Sequence, residues 1–230
     1  MSEDLGKIQK PSAEEVILKR KIYLVQNIQN YFPENKEFVS LLKDYWISIS
    51  GQLEKLEKTA GTISYIYIEG MWQSLTETKK VIKESNPMSY EFISGIADAS
   101  SEYKPIEDEQ IYKTLIDWTR IAQIGFISED VKKIVEDNYS KIIDIRQKHI
   151  ESEVNKLETG EAGLFIISSG NHKFPEDIEL FNIIPPELDK INRWIQDNQE
   201  SISSESQEKA EKHEDNEGES GKESGLWTPQ

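Results

Sequence analysis

Apolar positions change their period several times along the chain, and each change marks an element. Residues 21–28 (KIYLVQNI) and 62–69 (TISYIYIE) are short apolar runs rich in β-branched and aromatic side chains, which predicts strands. Between them Phe38, Leu41, Leu42, Tyr45, Trp46, Ile49, Leu53 and Leu56 recur on one helical face. Pro33 and Asn35 punctuate the loop before this helix, and Gly61 ends it. Ser74 and Glu77 have capping-box spacing, so a helix starts there and runs to about Glu84, stopped by Asn86-Pro87. A second short helix is expected over 89–99. A brief extended piece follows at 103–106, where Pro105 disfavours helix.

The second half repeats the alternation. Ile111, Leu115, Trp118 and Ala122 mark a helix that Gly125 stops. The longest helix begins at Ser128, a good N-cap with Glu129 and Asp130 in its first turn. Val131, Ile134, Val135, Ile142, Ile150, Val154 and Leu157 form its apolar face, and Gly160 closes it. Runs at 162–168 (AGLFIIS) and 178–184 (IELFNII) read as strands around a polar loop. Pro185-Pro186 introduces a last helix with Leu188, Ile191, Trp194 and Ile195 on one side. Strands alternating with helices predict the α/β class, with a mostly parallel sheet of about four or more strands flanked by helices.

Composition then divides the chain. Residues 199–230 contain nine acidic residues and three lysines, with Ile202 as their only large apolar residue before Leu226 and Trp227. Such a segment buries too little to offset its ordering entropy, so it is expected to be a disordered acidic tail. Residues 12–198 are read as a single α/β domain and residues 1–11 as a mobile arm. Ser12 and Glu15 allow a helix over 12–19.

Charge and cysteine usage exclude several function classes. The net charge of −16 repels phosphate backbones and anionic membrane surfaces, so neither nucleic acid nor membrane is expected as a partner. The chain has no cysteine, which removes disulfides, thiolate metal sites and a cysteine nucleophile. The start Met1-Ser2-Glu3-Asp4 is unlike a secretory signal, and no run approaches the ~18 apolar residues of a membrane span. A cytoplasmic address is the expectation.

Ligands of α/β sheets bind beyond the carboxyl ends of the strands. Those ends here carry Gln26-Asn27, Glu69-Gly70 and Ser168-Ser169-Gly170-Asn171-His172. Glu69 has the chemistry of a metal ligand or a general base, or is a solvated strand-end carboxylate. His172 is a candidate ligand or proton shuttle, or an unspecialised loop histidine. Arg146 and His149 sit on or beside the apolar face of the long helix. An inward arginine needs a carboxylate or phosphate partner, for which Glu69 is a candidate; otherwise its stem packs and its head reaches water. Ser168 and Ser169 lack the flanking glycines of a nucleophile elbow. Trp46, Trp118 and Trp194 read as core. Leu226 and Trp227, at the tip of the tail, look like a short docking motif for a protein partner, or else an unconstrained end.

The run IYLVQNIQ, then a helix, then YIYIEGM, a long helix with Arg146, and GLFIISSGNH resembles the superfamily of TraB-like and Tiki-type metalloproteases and ChaN-like haem-binding proteins. In that layout the first strand ends in a glycine-x-x-histidine turn, the second in a glutamate, a late helix carries an arginine, and a late strand ends in a second glycine-x-x-histidine. The match assigns Glu69 to the glutamate, Arg146 to the arginine and His172 to the second histidine. It implies a divalent metal and hydrolysis. The first turn, Val25-Gln26-Asn27-Ile28, lacks the histidine, and the second, Ser169-Gly170-Asn171-His172, has serine for glycine. The expected function is therefore a binding or regulatory protein on a degenerate scaffold, with the tail recruiting a protein partner. The alternative is a metal-dependent hydrolase using Glu69 and His172.

Overall fold

The structure, a computed structural model, describes residues 19–97, 101–168 and 172–198. The expected arm at 1–11, the helix at 12–19 save its last residue, and the tail at 199–230 lie outside them. The chain divides into two compact units, residues 1–185 and 186–230.

In the first unit five strands form one all-parallel sheet: β1 (Arg20–Gln26), β2 (Ile63–Ile68), β3 (Glu102–Tyr103), β4 (Ala162–Ile167) and β5 (Ile178–Ile183). Their spatial order is β3-β2-β4-β1-β5. Five helices connect them: α1 (Lys36–Thr59), α2 (Leu75–Ser85), α3 (Pro87–Ala97), α4 (Glu109–Gln123) and α5 (Glu129–Val154). Burial follows strand position. Five successive residues of β4 are buried, as befits an inner strand covered on both faces, whereas β5 at the edge alternates.

The pleat sorts side chains to two faces. On one, Ile22, Tyr67 and Phe165 pack with Ile150 and Val154 of α5, and Leu24, Tyr65 and Phe174 join them. On the other lie Tyr23, Val25, Ile66 and Ile68. That face meets α1, where Tyr45 donates from its hydroxyl to Gln26 O at 2.6 Å. Trp46 of α1 stacks on Phe92 of α3 at 4.8 Å. Gly163 belongs to the first face. A Cβ there would sit 2.8 Å from the Tyr67 ring and 3.0 Å from Ile22 Cδ1, so the close approach of strand and ring needs glycine.

Connections leave the sheet in two directions. From β1 to β2 and from β2 to β3 the chain steps one way, through α1 and then α2–α3. From β3 to β4 and from β4 to β5 it steps back, through α4–α5 and then a return segment at 168–177. Crossovers of one hand require that opposite steps use opposite faces. Adjacent strands β2 and β4 therefore send their chains to opposite faces, which opens a crevice at their carboxyl ends.

The caps expected at Ser74 and Ser128 are made. Glu77 N donates to Ser74 Oγ at 3.4 Å with the reciprocal Ser74 N to Glu77 Oε2 bond, and Val131 N donates to Ser128 Oγ. The helix from Ser74 ends at Ser85, stopped at Asn86-Pro87 as expected, and Pro87 begins α3. The extended piece expected at 103–106 is the two-residue β3. Val131 and Ile134, expected in the core, are exposed, while Val135, Ile142, Ile150 and Val154 are buried. At 26 residues α5 is about twice as long as the six-residue strands beside it, so its first turns overhang the sheet. For the same reason α4, which packs on α5, has no fully buried residue, and Trp118 is only half-buried.

In the second unit α6 (Pro186–Asp197) starts with proline and carries Glu187 and Asp189 in its first turn. Asn198 Nδ2 closes it on Trp194 O at 2.8 Å. Among the described residues no helix is long and apolar enough to cross a membrane.

Candidate functional site

Glu69 follows Tyr67 by two residues, so it projects to the same face as the core under α5. Its amide donates to Ile166 O at 2.9 Å, which fixes it to β4 just beyond the last strand residue. The chain then turns at Gly70, whose φ of +82° is a left-handed conformation. That turn aims the Gly70 amide at Glu107 Oε1, 3.1 Å away. A Cβ on Gly70 would lie 2.7 Å from the Tyr112 hydroxyl, so glycine also lets the Tyr112 ring close over the turn.

Glu107 stands one residue before Asp108, which caps α4 by accepting from Ile111 N at 2.9 Å. The cap holds Glu107 against the end of β2. From the opposite wall Arg146 of α5 reaches in between the two carboxylates. Its Nε donates to Glu107 Oε2 at 2.9 Å and its Nη2 to Glu69 Oε1 at 2.9 Å; Nη2 also bonds Glu107 Oε1. The Tyr112 ring lies under the guanidinium at 5.3 Å and stacks in turn on Trp72 at 5.6 Å. His172 Nε2 meets Glu69 Oε1 at 3.1 Å, and Ser168 N donates to Glu69 Oε2 at 2.7 Å. The imidazole packs edge-on against Phe165 at 5.2 Å. Gln147 clamps the return segment, donating to Lys173 O at 2.6 Å and accepting from Lys173 N.

These groups are withdrawn from water. The side chains of Glu107, Glu69, His172 and Arg146 are 0%, 6%, 6% and 15% exposed. Burial alone pulls the Arg146 pKa down. The hydrogen bonds and charges of Glu107, and then of Glu69, outweigh it, so the guanidinium is held more firmly protonated than usual. Burial pushes the Tyr112 phenol up; the charges of Glu107 and Glu69 add to this and Arg146 opposes it. Two carboxylates share one guanidinium.

Above them lies a cleft of about 600 Å³. Its floor is Glu69, Arg146, Ser168 and His172, and its apolar walls are Leu115, Ile116, Ile143 and Ile150. Arg120, Gln123 and Tyr139 stand around them. The volume is in the range of pockets that take small organic ligands.

Of the residues singled out by sequence, Glu69, Arg146, Ser168 and His172 are brought together. Gln26 and Asn27 do not line this cleft. Asn27 falls on the other face by strand parity and there accepts from Asn86 Nδ2 at 3.0 Å. His149 is half-buried on α5 and does not line the cleft either. Ser169, Leu226 and Trp227 lie outside the described residues. Sequence reasoning missed Glu107 and Tyr112. The signal for Glu107 was its place before the Asp108 cap; for Tyr112 it was an aromatic polar tip on the expected α4 helix.

The residues present do not fit a divalent metal. Among the described residues no group of three or more His, Asp or Glu side chains is arranged to hold one. The place between the carboxylates is taken by the Arg146 guanidinium, and both Glu69 oxygens are engaged. No family model, curated protein or solved structure matches this chain.

Proposed function

We propose that the protein is a binding protein whose cleft beyond β2 and β4 takes a small organic ligand anchored by Arg146. The scaffold is taken as a degenerate form of the TraB/Tiki-like layout. One observation carries the reading: a buried guanidinium locked between Glu69 and Glu107, yet lining an open, partly apolar cleft at the crevice of a parallel sheet. A purely structural ion pair needs no cleft above it. The binding event serves regulation, and the C-terminal tail, with Leu226 and Trp227, recruits the protein partner. Lack of cysteine supports a cytoplasmic address.

The metal-dependent hydrolase reading asks Arg146 to leave Glu69 before a metal enters. That exposes two buried carboxylates, and it gains only one imidazole among the described residues. Thermal-shift screening of a metabolite library tests the choice. The proposal expects organic compounds that raise the melting temperature of the wild type and lose that effect in Arg146→Lys. Zinc or manganese raising it instead, with the effect lost in Glu69→Gln and in His172→Ala, overturns the proposal in favour of the hydrolase.

A further inference from the structure

The cleft's hydrogen-bonding atoms are unequally available, and this bears on the ligand's chemistry. Both oxygens of Glu69, the anionic acceptor of the floor, are engaged. Glu69 Oε1 is shared by Arg146 and His172, and Glu69 Oε2 takes the Ser168 amide. Gln147 Oε1 accepts from Lys173 N. The donors are not all engaged. Arg146 uses Nε and Nη2, while its Nη1 makes no hydrogen bond among the described residues and is not one of the sealed-off unpartnered atoms. Arg120, on the wall, has only a loose pair with Asp117 at 3.9 Å and is largely exposed.

We infer that the ligand is a monocarboxylate with an apolar body, its carboxylate received by Arg146 Nη1 and drawn in by Arg120. The inference rests on the small-molecule reading above. The remaining N–H groups of Nη1 diverge, so Arg146 offers a carboxylate oxygen one charge-assisted hydrogen bond. An ammonium is repelled by Arg146 and Arg120 and finds both Glu69 oxygens engaged. A phosphate dianion meets more repulsion from Glu69 and Glu107 than a single carboxylate does, and it gains no cation beyond Arg146 and Arg120. Leu115, Ile116, Ile143 and Ile150 supply the surface that an apolar body buries.

Three probes of one skeleton separate the charge classes: phenylbutyrate, phenylbutanamide and phenylbutylamine. They are titrated into the full chain and followed by calorimetry and by the amide signals of Gly70 and Ser168. The carboxylate binds at least about tenfold tighter than the amide, a difference of about 1.4 kcal/mol, and the amine does not bind. Arg146→Lys weakens the carboxylate about tenfold or more, because one ammonium cannot bond Glu107 and Glu69 and still present a donor to the cleft. Arg120→Ala, an exposed change that leaves the buried cluster intact, weakens it a few-fold at low salt and less at high salt. Equal or tighter binding of the amide or amine in the cleft overturns the carboxylate assignment while the small-molecule reading stands. No saturable phenylbutyrate binding up to about 10 mM overturns it as well. The metabolite screen then decides separately whether the cleft binds anything.

Discussion

Replacing Arg146 by methionine is the perturbation with the largest consequence. The apolar stem is kept, but Glu107 and Glu69, 0% and 6% exposed, are left without their cation. Removing one partner of a buried ion pair costs about 3–5 kcal/mol, mostly from the charge left behind. With a urea slope of about 2 kcal/mol/M, the midpoint falls by about 1.5–2.5 M. The sharper test is a double-mutant cycle. In the wild type Glu107→Gln removes a charged acceptor from Arg146 and costs about 1.5–3 kcal/mol. In the Arg146→Met background the same change removes an uncompensated buried negative charge, so it raises stability. The sign of Glu107→Gln therefore inverts between backgrounds. Urea unfolding of the four proteins at one pH reads this directly. If Glu107→Gln shifts both backgrounds equally, within about 0.5 kcal/mol, the two groups are independent and the account of the site is wrong.

Other predictions concern the turn, the core and the tail. Gly70→Ala meets a left-handed φ and the Tyr112 hydroxyl, so it lowers stability by about 1–3 kcal/mol in urea unfolding. Gly51→Ala, a helical position with open space around it, raises stability by up to about 1 kcal/mol. Burial raises the folded-state pKa of Tyr23 and Tyr103 to about 12, and Tyr45 and Tyr67 are pushed up as well. Groups raised in the folded state stabilise fully below their unfolded pKa near 10 and lose this as pH climbs towards 12. Tyrosinate absorbance should thus show a class that ionises only with alkaline unfolding; nine tyrosines titrating together near pH 10 would contradict the burial. Deleting residues 225–230 is expected to remove a co-purifying partner without changing the melting temperature, and an unaltered partner list counts against the docking motif.

Much of the site was legible because its residues sit where pattern changes. Glu69 ends an apolar run, Arg146 lies beside the stripe of a long helix, and His172 follows the end of another run, so each drew attention without any contact being known. Glu107 interrupts no apolar pattern and is marked only by the Asp108 cap that follows it. It lies in a loop after a strand of two residues, where there is no period to interrupt. What finds it is tertiary: the Gly70 amide and the Arg146 guanidinium converge on one point. The overhang of α5 was illegible for a related reason. Periodicity at Val131 and Ile134 says that a face is apolar, but only the shorter strands beside it say how much of that face is covered. Asn27 shows the converse. Its position at a strand end was readable, yet parity sends it to the other face.

The most direct test of the binding cleft follows the amide signals of Gly70 and Ser168 and the Nε signal of Arg146 by NMR while a fragment library is titrated in. These report from the floor of the cleft, through bonds to Glu107 and Glu69. The account predicts that saturable fragments move these three signals together and that the same fragments fail on Arg146→Lys. If every binding fragment leaves all three unmoved, the cleft is not a ligand site and the cluster beneath it is structural alone.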